Sequence, residues 1–132
     1  MAASAVLPDS SFYIGLLRQR QDPLRALAAT AATRDLAVCG LIRCEVGRAL
    51  RPQKVRDKFR AFWDVMINVP TDNRLWTDAE QTLLQLDRMG MTLPLTDVVI
   101  ACCARRIGAV VLTHDHHFDR IPNLRVTDRL EA

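Results

Sequence analysis

The sequence lacks the features of a membrane protein, of a secreted protein and of a small zinc-binding domain. Its longest apolar run, residues 98–104, is far shorter than the roughly 18–20 residues of a membrane-spanning helix. The start "MAASAV" has neither the charged region nor the long apolar core of a secretory signal. The four cysteines show no paired C-x2-C spacing, which disfavours a zinc framework. We therefore expect a cytoplasmic protein without a membrane segment, whose cysteines are buried free thiols.

What the sequence does contain is the composition of a globular protein. Its 132 residues, 49% hydrophobic and 25% charged, suit one domain with a substantial core, so we expect a single domain over residues 1–132. The net charge is only +3, but residues 43–60 hold seven of the eighteen lysines and arginines. Such a stretch either attracts a polyanion or is simply a solvated helix face.

Short apolar runs alternate with segments of helical periodicity along the whole chain. The runs predict strands at residues 5–7, 36–39, 109–112 and 124–126, and a further short strand from Ile67. The periodicity predicts helices at residues 12–20, 23–33, 41–50, 53–66 and 73–89, and a last helix that Thr96 caps and that runs to residue 106. This alternation is typical of βαβ units, and it predicts an α/β protein with a parallel sheet.

Four acidic residues fall where parallel sheets bind ligands, near the carboxyl ends of strands. Asp9 and Asp115 follow predicted strands, Glu45 lies one turn into the helix after the second strand, and Asp97 lies in the first turn of the last helix. Converging carboxylates repel one another, and a hard divalent cation compensates them. Each acid also has a structural alternative: Asp9 as an N-cap, Asp97 as the partner of a helix dipole, and Glu45 as a surface residue.

Four segments together resemble a PIN domain of the VapC toxin type. In order, "PDSSFYIGLL", "CEVGRAL", "LPLTDVVIACCA" and "VLTHDHHFDRIPNL" resemble the segments that carry the four acids of that family, and the resemblance covers roughly residues 5–127. It implies a three-layer α/β/α sandwich around a central parallel sheet of four to five short strands. It also implies a ribonuclease that depends on Mg2+ or Mn2+. At the matching positions, the metal-site acids would be Asp9, Glu45, Asp97 and Asp115, supported by the hydroxyl of Thr113.

The resemblance further implies a toxin that pairs with a small antitoxin protein, often as a homodimer. Its substrate would be RNA, hydrolysed by a metal-activated water. The basic residues expected to hold the RNA backbone are Arg48, Arg51, Lys54 and Lys58. In the same stretch Phe59, Phe62 and Trp63 recur at helical spacing, which favours core packing over base stacking.

Two other classes of function fit parts of the same pattern. A non-catalytic binding module would use the PIN fold to dock an antitoxin and DNA, without cleaving RNA. A receiver domain is also an α/β protein with clustered aspartates, but it needs a lysine near the end of a late strand. The two lysines here, Lys54 and Lys58, both fall inside a predicted helix, which argues against a receiver.

The three histidines surround Asp115 in the segment "THDHHFD". In an extended segment His114 and His116 share one side and His117 points away, so a dedicated transition-metal site is not expected. Histidines that face solvent or lie behind the metal ligands are the favoured interpretation. His117 occupies a position where many relatives carry a further acid, and Asp119 lies close by in the sequence.

Overall fold

The structure is a computed structural model that describes residues 4–130. Within this range the strands are β1 (Val6–Pro8), β2 (Ala37–Cys39), β3 (Ile67–Val69), β4 (Val110–Leu112) and β5 (Val126–Thr127). The helices are α1 (Ser10–Arg18), α2 (Pro23–Ala31), α3 (Gly40–Gly47), α4 (Gln53–Asp64), α5 (Asn73–Arg88) and α6 (Leu95–Arg106). A short 3₁₀ helix spans His116–Arg120.

The strands form a parallel sheet in the order β3-β2-β1-β4-β5. Parallel ladders join β1 to β4, β4 to β5 and β2 to β3. A single parallel bridge between Val6 and Leu36 links the three-stranded and the two-stranded parts. The predicted α/β class, with helices around a parallel sheet of four to five short strands, is confirmed.

A proline explains why β1 and β2 share only one bridge. The Val6 N–H donates to the Asp35 carbonyl at 2.9 Å, toward β2, whereas the Asp9 N–H donates to the Leu112 carbonyl at 3.0 Å, toward β4. Because alternate residues of a strand face opposite neighbours, Pro8 faces β2, and its ring nitrogen has no proton to donate. Pro8 therefore ends the pairing with β2, whereas on the other side of β1 it still pairs with Leu112 of β4.

The core is centred on α6, whose residues 98–104 are at most 2% exposed. A helix segment that is apolar on all sides is buried in the protein interior, and α6 packs against both α5 and β4. Cys102 and Cys103 lie in this helix and, like Cys39, are buried free thiols, but Cys44 is exposed, contrary to expectation. No helix within the described residues is long and apolar enough to cross a membrane.

The aromatic residues of α4 belong to the core, as their spacing indicates. Phe59 and Trp63 are 3% and 4% exposed, and their rings meet edge to face with centroids 5.4 Å apart. The Trp63 indole N–H donates to the Tyr13 hydroxyl at 3.2 Å, which connects α4 to α1. The interpretation of these side chains as core, rather than as a base-stacking platform, is confirmed.

Two local predictions are wrong. The first helical residue of α6 is Leu95, its N-cap is Pro94, and Thr96 lies inside the first turn without capping it. The extended backbone of Pro94, at φ −58° and ψ 138°, puts the boundary before Leu95. The histidine-rich segment is not extended, because the Asp115 carboxylate accepts the His117 N–H and so starts the 3₁₀ helix.

Candidate metal centre

Asp9 lies between β1 and α1, and its side chain is buried, with 3% exposed. Its Oδ1 accepts the Phe12 N–H at 3.1 Å and the Ser11 hydroxyl at 2.8 Å, so Asp9 is the N-cap of α1. Its Oδ2 accepts the Thr113 hydroxyl at 2.7 Å. Oδ1 therefore has both lone pairs engaged, whereas Oδ2 keeps one free. The N-cap role and a cation-binding role are compatible in this one side chain.

Thr113 connects the ends of β1 and β4. These strands are neighbours in register, with Pro8 opposite Leu112, so the residues that follow them are adjacent. The Thr113 side chain is 3% exposed, and its hydroxyl donates to Asp9 and accepts the Asp115 N–H at 2.9 Å. One hydroxyl thus positions Asp9 relative to the backbone of Asp115.

Glu45 reaches the same region from α3. Its Oε1 accepts the hydroxyl of Ser10 at 2.7 Å, and Ser10 is the first residue of α1, directly after Asp9. This contact joins positions 35 residues apart in the chain. It orients the Glu45 carboxylate toward the carboxyl end of β1, although Glu45 belongs to a different helix.

Asp97, Asp115 and His117 form the closest group of potential ligands. The His117 Nδ1 lies 3.0 Å from Asp97 Oδ2 and 3.3 Å from Asp115 Oδ1. One atom from each of the three residues lies within 4.8 Å of the other two. The expected extended backbone, on which His117 would lie opposite His114 and His116, is replaced by the 3₁₀ helix, and His117 faces Asp97 and Asp115.

The four carboxylates influence one another electrostatically. Burial raises the pKa of Asp9 and of Asp97, and the negative charge of Asp115 raises both further. The charge of Glu45 also raises the pKa of Asp97, whereas the hydrogen bond between Asp97 and His117 lowers the pKa of Asp97. Within residues 4–130, no lysine or arginine forms an ion pair with any of these acids, and His117 is the one basic side chain in close contact with them.

This set of donors fits a divalent metal ion. Carboxylate oxygens are the ligands that Mg2+ and Mn2+ prefer, and one imidazole nitrogen is compatible with Mn2+. The excess of negative charge in a partly buried site is what such a cation neutralises. The serines at positions 10 and 11 and His117 complete the arrangement. The sequence signal for them is their position next to the acids, but spacing alone does not show what they contact.

The remaining histidines and Asp119 lie apart from this group. His114 is exposed and stacks on the Phe12 ring, with centroids 6.3 Å apart. The His116 side chain is 96% exposed, and its Nδ1 lies 3.4 Å from Asp119 Oδ2. The structure therefore does not bring Asp119 into the closest group of ligands.

The basic residues expected to hold RNA all lie on the surface. Arg51 precedes α4, whose first residue is Gln53, so it is not part of that helix. All four residues of this set are exposed: Arg48, Arg51, Lys54 and Lys58. A neighbouring groove of about 320 Å³ between α3 and α4 is lined by three further arginines, Arg43, Arg56 and Arg60.

Fold and site together define a parallel α/β protein with an acidic centre at the carboxyl ends of its strands. Residues 6–124 match the family model of the PIN domain, and the chain belongs to this family. No protein of curated function matches the sequence significantly.

Solved structures with the same fold come from toxin–antitoxin systems. A chain of DNA-bound VapBC from Salmonella typhimurium is 20% identical, with a TM-score of 0.77 over 95% of this chain and 98% of that one. A chain of VapBC2 from Rickettsia felis, bound to a promoter fragment, is 16% identical, with a TM-score of 0.76 over 93% and 97%. VapC20 from Mycobacterium tuberculosis, a sarcin–ricin loop cleaving toxin, is 15% identical, with a TM-score of 0.60 over 91% and 98%.

Proposed function

We propose that this protein is a divalent-metal-dependent ribonuclease that acts as the toxin of a toxin–antitoxin pair. The observation that carries the proposal is the gathering of Asp9, Glu45, Asp97 and Asp115 at one end of the sheet, without a lysine or arginine partner among the described residues. Membership of the PIN domain family supports a nuclease. The fold shared with VapBC chains, and with a toxin described as cleaving the sarcin–ricin loop, supports RNA as the substrate.

Each acid has a distinct role in the proposal. Asp97 and Asp115 would hold the ion, since a potential ligand atom of each lies within 4.8 Å of the other. Asp9 contributes Oδ2, which Thr113 holds in place, and Glu45 completes the set from α3 while Ser10 orients it. A bound Mg2+ or Mn2+ supplies a nucleophilic water and stabilises negative charge on the phosphate.

A comparison of three aspartate variants tests the catalytic proposal. We expect Asp9→Asn and Asp97→Asn to lower Mg2+- or Mn2+-dependent RNA cleavage by about 100-fold or more, since each removes a metal-binding charge. Asp119→Asn is the matched control, because Asp119 pairs with exposed His116. Circular dichroism checks that each variant is folded. Retained cleavage in both Asp9→Asn and Asp97→Asn contradicts the proposal.

The wild-type protein distinguishes the ribonuclease from a non-catalytic module. A binding module docks an antitoxin and DNA but cleaves no RNA with either ion, and its expression does not arrest growth. The ribonuclease arrests growth, and both Asp9→Asn and co-expression of the antitoxin relieve the arrest. The antitoxin and a homodimer are part of the proposal, supported by the fold shared with chains of VapBC structures. Light scattering coupled to size exclusion measures the oligomeric state.

The exposed basic surface beside α3 and α4 is the proposed contact for the RNA backbone. If Arg51, Lys54 and Lys58 each contact a phosphate, changing all three to alanine reduces the slope of log K against log salt by about 2. Arg48→Ala alone should reduce it by about 0.7. Fluorescence anisotropy with labelled RNA and the Asp97→Asn protein measures binding without cleavage. An unchanged slope in the triple variant excludes these contacts.

A further inference from the structure

We infer that His117 is a ligand of the metal ion and that its imidazole nitrogen makes the centre select Mn2+ over Mg2+. The inference rests on the proposed function, whose metal it specifies. His117 lies in one group of donors with Asp97 and Asp115, and a histidine rather than an acid stands at this position.

The two distances from the His117 nitrogen to the neighbouring carboxylates match the spacing of adjacent ligands in a coordination shell. For metal–ligand bonds of about 2.1 Å, adjacent ligand atoms around an octahedral ion lie about 3.0 Å apart. The His117 Nδ1 lies 3.0 Å from Asp97 Oδ2 and 3.3 Å from Asp115 Oδ1. The His117 nitrogen is therefore placed where it can bind an ion that either carboxylate holds. The same distances also suit hydrogen bonds, so the experiment must separate a ligand from a positioning residue.

The fold restrains His117 far more than the adjacent His116. The backbone N–H of His117 donates to Asp115 Oδ1 at 2.9 Å, so the backbone of His117 and the carboxylate of Asp115 are held together. The next residue, Phe118, is completely buried and anchors the 3₁₀ helix in the core. The His117 side chain is 47% exposed, whereas that of His116 is 96% exposed.

The ligand chemistry gives the direction of the selectivity. Mg2+ binds oxygen ligands almost exclusively, whereas imidazole suits transition metals. A centre formed only of carboxylates distinguishes poorly between Mg2+ and Mn2+. Adding one nitrogen strengthens the binding of Mn2+ without a comparable gain for Mg2+. His117 therefore sets the ratio of the two dissociation constants.

Pulsed electron paramagnetic resonance of bound Mn2+ tests the inference directly. The full-length protein, loaded with Mn2+, should show a ¹⁴N coupling that changes to a ¹⁵N coupling when the histidines are ¹⁵N-labelled. His117→Ala should lose this coupling. The variants His114→Ala and His116→Ala are matched controls and should retain it, because their rings lie outside the group.

Titration calorimetry with MnCl2 and MgCl2 measures the selectivity. We expect His117→Ala to raise the Kd for Mn2+ about tenfold or more and the Kd for Mg2+ by a smaller factor. His117→Asp should restore Mg2+ binding and lower the preference for Mn2+. A residue that only positions Asp97 would weaken both ions alike and would show no nitrogen coupling.

Bound Mn2+ without a His117 nitrogen coupling, or an unchanged ratio of the two Kd values in His117→Ala, overturns the inference. If RNA cleavage with Mg2+ persists in that case, the proposed function stands. If the wild-type protein binds neither ion and cleaves no RNA, both the inference and the proposed function fail.

Discussion

Replacing Thr113 with valine removes one buried hydroxyl from the acidic centre and leaves the shape of the side chain nearly unchanged. That hydroxyl donates to Asp9 Oδ2 at 2.7 Å and accepts the Asp115 N–H at 2.9 Å. A hydrogen bond to a charged group contributes about 1.5–3 kcal/mol. Loss of the acceptor for the N–H adds about 1 kcal/mol, the low end of the usual range, because Asp115 is only half-buried and water can reach it.

The free energy of unfolding should therefore fall by about 2.5–4 kcal/mol at neutral pH. For a chain of this size, each kcal/mol lowers Tm by about 3–5 °C, so we expect a decrease of about 10 °C. Burial raises the pKa of Asp9, and the Thr113 hydrogen bond is the largest influence that lowers it, so the variant should raise this pKa further. Metal affinity should fall as well, since Asp9 Oδ2 loses the donor that orients it.

Calorimetry and urea denaturation of the metal-free protein measure this effect. Thr113→Ser is the matched control, because it keeps the hydroxyl and loses only a methyl group, at a cost of about 1 kcal/mol. The reasoning is refuted if valine is as stable as threonine, or if serine destabilises the protein as much as valine does.

Three further predictions concern the charges and the core around the site. Asp9 and Asp97 have pKa values above their usual 3.8 in the folded protein, so the folded state binds more protons at these two groups than the unfolded state does. The two groups therefore lower the stability of the metal-free protein as pH rises from 3.8 through the raised pKa values. Urea denaturation across that window should show Asp9→Asn gaining stability relative to wild type as pH rises. Phe118→Ala should cost about 3–5 kcal/mol and weaken Mn2+ binding, whereas Phe118→Leu should do much less of both, as measured by denaturation and calorimetry. Trp63→Phe leaves the buried Tyr13 hydroxyl without its donor and should lower the free energy of unfolding by about 1–3 kcal/mol. Adding Tyr13→Phe should lower it little further, and losses that simply add would contradict the shared hydrogen bond.

The fold class could be predicted from the sequence because buried strands and half-buried helices leave different patterns of apolar residues. The strands β2 and β4 read as short apolar runs since both their faces are covered, and α4 and α5 read as amphipathic since one face contacts water. Boundaries were less accessible. The first turn of α6 has no side-chain cap, so Thr96 gave a misleading signal for its start.

Two acids of the candidate site were also accessible individually, because residues just beyond the end of a parallel strand lie at the ligand-binding edge. Asp9 and Asp115 follow β1 and β4, which the structure places side by side. The contacts that orient the acids were not accessible. Glu45 is held by Ser10 at a separation of 35 residues, and such a pairing depends on how α1 packs against α3.

The sequence by itself determined the alternation of strands and helices, because this depends on residue type and local spacing, and its resemblance to the PIN domain indicated the family and the candidate acids. Only the tertiary structure decided which side chains meet. The Thr113 hydroxyl contacts a carboxylate 104 residues away, since β4 pairs with β1. His117 turns toward Asp97, since Asp115 caps a 3₁₀ helix that Phe118 anchors in the core. Contacts of this kind depend on packing between distant elements, and no local pattern in the sequence encodes them.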